Sequence, residues 1–328
     1  MSLTAPPEWA IAAEGLVKTF GTNRAVDGVD LHVKTGSVYG VLGPNGAGKT
    51  TTISMLATLL RPDAGSAFIF GHDVVSSPHL VRQLIGVTGQ YASVDEKISG
   101  LENLVIFGRL LGLGSRAARQ KADDLLGAFG LAEAARRPVE KYSGGMRRRL
   151  DLAASLIARP PLIFLDEPTT GLDPRTRGQM WDVIRDLVAQ GSTVLLTTQY
   201  LDEADQLADR IAVIDHGRVV AEGTADDLKA SVGSAALQLR LGDPSQTTTA
   251  LAVIRRVLGT HGTFTPEASR ITAPMTDPDR ITDLLVELRT HGVHLTELSV
   301  QQPTLDEVFL TITGHGAEPG TQATEVAA

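Results

Sequence analysis

The sequence predicts an α/β protein with a mostly parallel sheet, followed by a smaller α+β domain. From about Ile11 to Leu228, runs of β-branched residues alternate with helical patterns and glycines, which is typical of repeated strand–helix units. A glycine-rich loop near residue 43 stands between a predicted strand and a predicted helix. After about Ala230 the pattern changes to strand-like and helix-like segments, which include an amphipathic helix at Asp277–His291. These observations indicate two domains of different class.

Composition narrows the function classes. The chain has 328 residues, of which 42% are apolar and 21% charged, as in ordinary folded domains. Its net charge of -8 argues against a nucleic-acid partner, because such proteins carry a concentrated basic face. The absence of cysteine excludes disulfides, thiol catalysis and cysteine-ligated zinc. No stretch approaches the roughly 18–20 continuous apolar residues of a membrane span, and no secretory signal is expected. Any membrane role would therefore be exerted from the cytoplasmic face.

Four segments are expected along the chain. They are a loose N-terminus (1–10), a large α/β domain (11–230) that includes a helical subdomain (about 91–155), a C-terminal accessory domain (231–313) and a disordered tail (314–328). The lead-in contains a Pro-Pro pair and few packing residues. The tail lacks apolar periodicity, so a packed structure is not expected there.

The large domain contains the elements that matter for the site. Ser37–Leu42 is predicted as a strand and Thr50–Leu60 as the helix after the glycine-rich loop. Leu101–Phe129 is rich in apolar residues spaced three and four apart, which predicts helices. Leu162–Leu165 and Thr193–Thr197 are short continuous apolar runs, so they are predicted as buried parallel strands.

The C-terminal domain is predicted to follow the order β-α-β-β-α-β, which is a ferredoxin-like α+β arrangement. The elements behind this prediction are a strand (Leu237–Leu241), a helix (Thr247–Leu258), a short hairpin (Gly262–Thr272), a helix (Asp277–His291) and a strand (Val293–Val300). A final apolar segment, Leu305–Leu310, is expected to add a short helix.

The glycine-rich loop matches the pattern G-x-x-x-x-G-K-[ST] at Gly43, Gly48, Lys49 and Thr50. Glycines let backbone N–H groups cradle phosphate oxygens at a helix N-terminus, Lys49 supplies a cation for the β- and γ-phosphates, and the Thr50 hydroxyl can bind magnesium. The sequence therefore predicts an ATP and Mg²⁺ site. Its phosphate-binding residues are expected to be Gly43, Pro44, Asn45, Gly46, Ala47, Gly48, Lys49, Thr50 and Thr51.

Two acids end the predicted strand Leu162–Leu165. Ligands of open α/β sheets bind at the carboxyl ends of strands, so Asp166 and Glu167 are expected at the nucleotide. Asp166 can hold the magnesium ion, and Glu167 can accept a proton from the attacking water. In isolation, Asp-Glu-Pro is a common helix-start or turn sequence, but the phosphate loop in the same domain favours the functional interpretation.

A third element, Tyr142–Met146 (Tyr-Ser-Gly-Gly-Met), stands just before the acidic strand and opens an arginine-rich helix. It resembles the signature sequence of ABC ATPases, and the resemblance covers roughly Gly15 to Leu228. By resemblance, Phe20 stacks on adenine, and Gln90 senses magnesium and the membrane partner. Apart from the family, the Ser-Gly-Gly sequence would be a plain helix start and Arg147–Arg149 a solvated helix face.

In the ABC family, two nucleotide domains pair head to tail, so each phosphate loop faces the signature of the other. The resemblance therefore implies a homodimer of this chain or a pair with a related subunit. Ser143 and the backbone of Gly145 are expected to meet the γ-phosphate from across the interface, and Gly144 and Asp173 are also expected at the nucleotide. The family normally has a histidine where this chain has Gln199. An amide can donate a hydrogen bond but cannot carry charge, so Gln199 is expected to keep a catalytic positioning role with modest turnover.

A closer resemblance is to the daunorubicin/doxorubicin-resistance ATP-binding subunits. The segments Thr88–Glu96, Tyr142–Asp151 and Thr197–Asp209 carry it, and Leu305–Leu310 extends it to nearly the whole chain. The resemblance implies a separate integral membrane permease and export of a hydrophobic drug, with this subunit peripheral on the cytoplasmic face. The alternatives are an importer ATPase and a soluble ABC ATPase. The single nucleotide motif and the absence of a coiled-coil insertion disfavour the latter.

Overall fold

The computed structural model describes residues 7–88, 94–233, 235–275, 277 and 279–314. The chain divides into two compact units between Ala225 and Asp226, and the second unit ends at Gly314. No helix within these described ranges is long and apolar enough to cross a bilayer.

The first unit contains ten strands and seven helices among the described residues. The strands are β1 (Trp9–Phe20), β2 (Asn23–Lys34), β3 (Val38–Leu42), β4 (Ala64–Ile69), β5 (His72–Asp73), β6 (Ile85–Thr88), β7 (Leu162–Asp166), β8 (Thr193–Thr198), β9 (Arg210–Asp215) and β10 (Arg218–Gly223). The helices are α1 (Lys49–Leu56), α2 (Pro78–Leu84), α3 (Gly100–Leu110), α4 (Ser115–Ala128), α5 (Gly144–Ser155), α6 (Pro174–Ala189) and α7 (Leu201–Leu207).

A six-stranded sheet in the order β10-β9-β3-β8-β7-β6 forms the centre of this unit. Strands β6, β7, β8, β3 and β9 are parallel, and β10 returns antiparallel to β9. Every residue of β3, β7 and β8 is buried, which explains their continuous apolar sequence. The carboxyl ends of β3, β8 and β7 therefore lie side by side at one edge of the sheet. A second sheet, β2-β1-β4-β5, is antiparallel.

Two bounds in this unit differ from the expectation. β1 begins at Trp9, which pairs with Lys34, so residues 9 and 10 of the predicted loose N-terminus (1–10) belong to a strand. Helix α1 ends at Leu56 rather than continuing to Leu60, because Thr58 adopts a left-handed backbone with φ of +62°. Such a residue cannot continue a right-handed helix.

The expected helical subdomain contains α3, α4 and α5, and residues 91–93 lie outside the described residues. Ser99 begins α3 with a capping box, in which its hydroxyl accepts from the Glu102 N–H and the Glu102 carboxylate accepts from the Ser99 N–H. Buried residues such as Leu104 and Leu126 pack these helices into one core with Leu150. Helix α5, which follows Ser143, is thus packed into the same core as α3 and α4.

The elements of the second unit are α8 (Ala225–Val232), β11 (Ala235–Leu241), α9 (Thr247–Leu258), β12 (Thr263–Thr265), β13 (Arg270–Met275), α10 (Arg280–Thr290), β14 (Leu295–Gln301) and α11 (Leu305–Thr313). The elements from β11 onward follow the predicted order β-α-β-β-α-β and end with a helix, and α8 precedes them. The sheet order is β12-β13-β11-β14, and all three pairings are antiparallel. Helices α9 and α10 bury Ile254 and Leu284 in the core of the unit.

The boundary predicted at residue 230 falls inside α8. The division lies between the first two residues of α8, so nearly all of this helix, including the buried Leu228, belongs to the second unit. At the other end, α11 begins at the capping box of Thr304 and Glu307. The predicted disordered tail, apart from Gly314, lies outside the described residues.

Candidate functional site

The glycine-rich loop connects β3 to α1, and two of its glycines have backbones that an L side chain rarely adopts. Gly46 has φ of +81° and Gly48, the N-cap of α1, has φ of +107°. Steric contacts add to this requirement. A Cβ on Gly43 would lie 2.3 Å from the Ile214 carbonyl oxygen, and one on Gly48 would lie 2.4 Å from the Ala25 carbonyl oxygen. The loop can therefore keep this shape only with glycine at these positions.

Lys49 begins α1 and is buried, with 5% of its surface exposed. Its ammonium donates to the carbonyl oxygens of Gly43 at 2.7 Å and Pro44 at 3.1 Å, and lies 3.9 Å from a carboxylate oxygen of Glu167. Burial lowers the pKa of Lys49, and the carboxylates of Glu167 and Asp166 counteract part of that shift. A partly desolvated cation held over the loop is suited to pairing with phosphate oxygens.

Asp166 ends β7 and is 4% exposed. The Thr50 hydroxyl donates to it at 3.0 Å, and the Thr197 hydroxyl of β8 donates to it at 2.5 Å. Hydroxyl and carboxylate oxygens are the ligands that Mg²⁺ prefers in proteins, so the pair Thr50 and Asp166 fits this ion chemically. Thr50 lies in the first turn of α1, after β3, and Asp166 is the last residue of β7, so the parallel sheet brings the two side chains together.

Glu167 is a strained residue at the edge of the sheet. It adopts a left-handed backbone with φ of +50°, and its N–H donates to the Thr197 carbonyl oxygen at 3.1 Å. Its carboxylate accepts from the Thr170 hydroxyl at 3.2 Å. Non-glycine residues in this conformation persist where the surrounding structure fixes them, and they cluster at functional sites.

Gln199 follows β8 directly and is half-buried. Because β8 lies between β3 and β7, Gln199 leaves the sheet at the same edge as the glycine-rich loop and Glu167. The predicted residues Lys49, Thr50, Asp166, Glu167 and Gln199 are thus brought to one edge by strand order.

The signature residues stand at the start of α5. Ser143 is its N-cap and accepts from the Met146 N–H at 3.3 Å, and Ser143 and Gly144 are exposed. A Cβ on Gly145 would lie 3.0 Å from the Thr176 methyl group. Asp173 is the exposed N-cap of α6 and accepts from the N–H and hydroxyl of the same Thr176 at 3.0 and 2.7 Å.

Two further residues predicted from the sequence are Phe20 and Gln90. Phe20 ends β1 with 47% of its surface exposed, so part of its ring is accessible for stacking. Lys18 Nζ lies 5.8 Å from the ring centre. Gln90 lies outside the described residues.

Sequence analysis missed two residues that contact the acidic pair. Thr197 donates to Asp166, although the sequence indicated only a buried position in a predicted strand. Arg148 is not a solvated face residue. Its guanidinium donates to the carbonyl oxygens of Asp166 at 2.7 Å and Glu167 at 2.9 Å. The run of three arginines directly after the signature was the available signal.

These features define a P-loop ATPase of the ABC type. They are a phosphate loop and an acidic strand end side by side on a parallel sheet, and a helix that begins with Ser-Gly-Gly. The family model described as ABC transporter matches residues 26–170. The daunorubicin/doxorubicin resistance ATP-binding protein of Streptomyces peucetius is 56% identical, over 98% of this chain and 97% of that protein. A daunorubicin resistance ATP-binding protein of Streptomyces coeruleorubidus is 52% identical, over 93% and 96%.

Among solved structures, the ADP conformation of an ATP-binding cassette of an ABC transporter has a TM-score of 0.62 and 26% identity, over 67% of this chain and 93% of that one. The chain belongs to the ABC transporter ATP-binding subunits, in the daunorubicin/doxorubicin-resistance group. It is accordingly a nucleotide-binding, ATP-hydrolysing subunit, of a kind that works with membrane permeases and dimerises.

Proposed function

We propose that this chain powers the export of a hydrophobic drug or antibiotic, anthracycline-like in class, through a permease on a separate chain. The observation that supports the cargo class is the 56% identity to a daunorubicin/doxorubicin resistance protein over both units, including the second. In this proposal the subunit is peripheral on the cytoplasmic face of the membrane, and nucleic acid is not a partner.

ATP phosphates are proposed to bind over the loop Gly43–Gly48, where glycines leave the backbone N–H groups free of side chains. Lys49 exchanges its loop carbonyl contacts for β- and γ-phosphate oxygens, which compensate its burial. Thr50 and Asp166, with Gln90, are proposed to hold Mg²⁺. When bound, this ion neutralises developing charge on the phosphates. Thr51 completes the phosphate contacts.

Glu167 is the proposed general base. Its carboxylate lies 3.9 Å from the Lys49 ammonium, which places a proton acceptor next to the cation that pairs with the γ-phosphate. Gln199 is proposed to donate its amide N–H to the γ-phosphate from the end of β8, in the position where the family has histidine. Phe20 is proposed to stack on the adenine ring through its exposed face.

Hydrolysis is proposed to need a second copy of this chain. The exposed N-terminus of α5 offers the Ser143 hydroxyl and the N–H groups of Gly144 and Gly145 to a phosphate of the partner's nucleotide. Asp173 lies beside them, because Thr176 contacts both it and Gly145. Exposure of this helix start, in contrast to the buried Lys49, supports a role across an interface.

The test of the site is Glu167→Gln in the full-length chain. We expect ATP binding to remain, ATP-dependent dimers to accumulate and hydrolysis to fall by about a hundredfold or more, because water attack loses its base. The exposed Glu133→Gln is a matched control with the same change of charge. Hydrolysis at the wild-type rate by Glu167→Gln would refute the assignment.

Cargo class is tested separately. Cells that express the chain together with its membrane subunit should accumulate less of a fluorescent anthracycline, and the Glu167→Gln chain should abolish that difference. A dependence of transport on an external solute-binding protein would instead identify an importer.

A further inference from the structure

Arg148 extends from α5 to the carboxyl end of β7. Its guanidinium donates to three successive carbonyl oxygens, those of Asp166 at 2.7 Å, Glu167 at 2.9 Å and Pro168 at 3.2 Å. A planar guanidinium presents several N–H donors in fixed directions, so it can hold several acceptors at once in one geometry. Its charge makes each bond stronger than a neutral one.

These bonds fix the backbone on both sides of Glu167. The peptide unit between Asp166 and Glu167 is held at its carbonyl by Arg148 and at its N–H by the Thr197 carbonyl, 3.1 Å away. The next peptide unit is held at the Glu167 carbonyl, again by Arg148. When both flanking peptide planes are fixed, φ and ψ of Glu167 are fixed, and so is the direction of its Cα–Cβ bond.

Glu167 needs such support because its φ of +50° is unfavourable for an L residue. The left-handed conformation is strained for a residue with a Cβ and would relax without external restraints. Relaxation would turn the carboxylate away from its place 3.9 Å from Lys49. Arg148 is well placed to prevent this, since it is half-buried and lies within the electrostatic influence of the carboxylates of Asp151, Asp166, Glu167 and Glu203.

We propose that Arg148 is a positioning residue that locks the backbone of Glu167 in its left-handed conformation and thereby aims the carboxylate at the attacking water. This inference rests on the proposed role of Glu167 as the base. Arg148 lies five residues after Ser143 on the same segment, so the lock also connects the signature helix to the chain's own acidic strand end.

The experiment compares substitutions of Arg148 in the full-length chain. Arg148→Met keeps much of the side chain's length but removes every hydrogen-bond donor. Arg148→Lys keeps the positive charge but loses the planar guanidinium with its several donors. The matched control is Arg149→Met on the same helix, whose guanidinium donates to the Phe129 carbonyl at 3.0 Å instead. Steady-state hydrolysis of Mg-ATP, binding of a fluorescent ATP analogue and the thermal midpoint are measured for each.

We expect Arg148→Met to lower kcat by about tenfold or more while KM changes by less than about twofold, because positioning acts on the chemical step. Arg148→Lys should recover part of the rate, and Arg149→Met should keep it. The decisive comparison is single-turnover hydrolysis with Glu167→Gln already present. There the addition of Arg148→Met should lower the rate by less than about twofold, since both substitutions remove one function.

Three results would overturn the inference: a wild-type kcat for Arg148→Met, an equal loss for Arg149→Met, or a full additional loss in the Glu167→Gln background. If Arg148→Met does not fold, as judged by its thermal midpoint and nucleotide binding, the Arg148→Lys series decides by the same criteria. A wild-type rate for Glu167→Gln alone would refute the proposed base, which separates that failure from a failure of the Arg148 lock.

Discussion

Gly48→Ala should abolish tight ATP binding, and the structure shows why the effect exceeds ordinary loop strain. Gly48 has φ of +107° at the start of α1, and an added Cβ would lie 2.4 Å from the Ala25 carbonyl oxygen. That oxygen belongs to β2, whose neighbouring Asp27 N–H donates to the Gly217 carbonyl. The backbone of Ala25 therefore cannot move away without disturbing other strands.

Two unfavourable contributions add at this position. A left-handed L residue costs about 1–2 kcal/mol, and overpacking against fixed atoms typically costs about 1–3 kcal/mol. Displacement of the loop would relieve this total of about 2–5 kcal/mol, but the displaced loop would lose its phosphate geometry. Since each 1.4 kcal/mol is about tenfold in affinity, we expect Kd for ATP to rise by about thirtyfold or more.

Titration of the full-length protein with a fluorescent ATP analogue measures this change. The matched control is Gly191→Ala in the turn before β8, where φ is +96° and nothing lies within 4 Å of the added Cβ. It should lose about 1–2 kcal/mol of stability from backbone strain while keeping its ATP affinity. If Gly48→Ala binds ATP as tightly as wild type, or no more weakly than Gly191→Ala, the steric argument is wrong.

Two further predictions concern the end of β8 and helix α7. Gln199→Ala should lower kcat by about tenfold or more with little change in ATP affinity, because it removes one donor at the γ-phosphate. The exposed Gln190→Ala is its control, and an unchanged ATPase rate refutes the role of Gln199. Burial raises the pKa of Glu203, so the Glu203 carboxyl holds its proton more tightly in the folded chain than in the unfolded chain. The stability of the protein therefore falls as pH rises above about 4.5. Glu203→Gln should therefore stabilise the protein more at pH 8 than at pH 4.5, by a few °C in thermal midpoint; a pH-independent difference would contradict this.

The parts of the site that sequence could predict are those with local signals. Strands β3, β7 and β8 are buried on both faces, so their residues are apolar in unbroken runs and the polar residues that follow them mark the ligand edge. The glycine-rich loop is local as well, because Gly46 and Gly48 are required by backbone conformation. Strand order then brought Lys49, Asp166 and Gln199 together, as expected for ligands of parallel sheets.

The parts that sequence could not predict depend on contacts distant in the chain. Arg148 follows an exposed helix start within an arginine run, and that run alone does not identify which arginine binds the carbonyl oxygens 18 and 19 positions later. Thr197 on β8 donates to Asp166 on the neighbouring strand β7. A β-branched residue in a strand is common, so the sequence does not indicate this hydrogen bond. Element ends were uncertain for a similar reason. The left-handed Thr58 that ends α1 is neither glycine nor asparagine, so no helix stop signal precedes it.

These long-range contacts connect the two halves of the proposed composite site within one chain. Thr176 lies against Gly145 at the signature and also donates to Asp173, while Arg148 joins the same signature helix to the backbone of Glu167. A shift of α5 by even a fraction of an ångström would strain these hydrogen bonds, because hydrogen-bond energy falls steeply with distance and angle. If the partner's nucleotide binds at Ser143, its effect on α5 would therefore reach this chain's own Glu167 through Arg148. Helix α5 would then couple the two nucleotides of a dimer directly. Its start carries Ser143, which is proposed to contact the partner's ATP, and its Arg148 holds Glu167, which is proposed to hydrolyse the chain's own ATP.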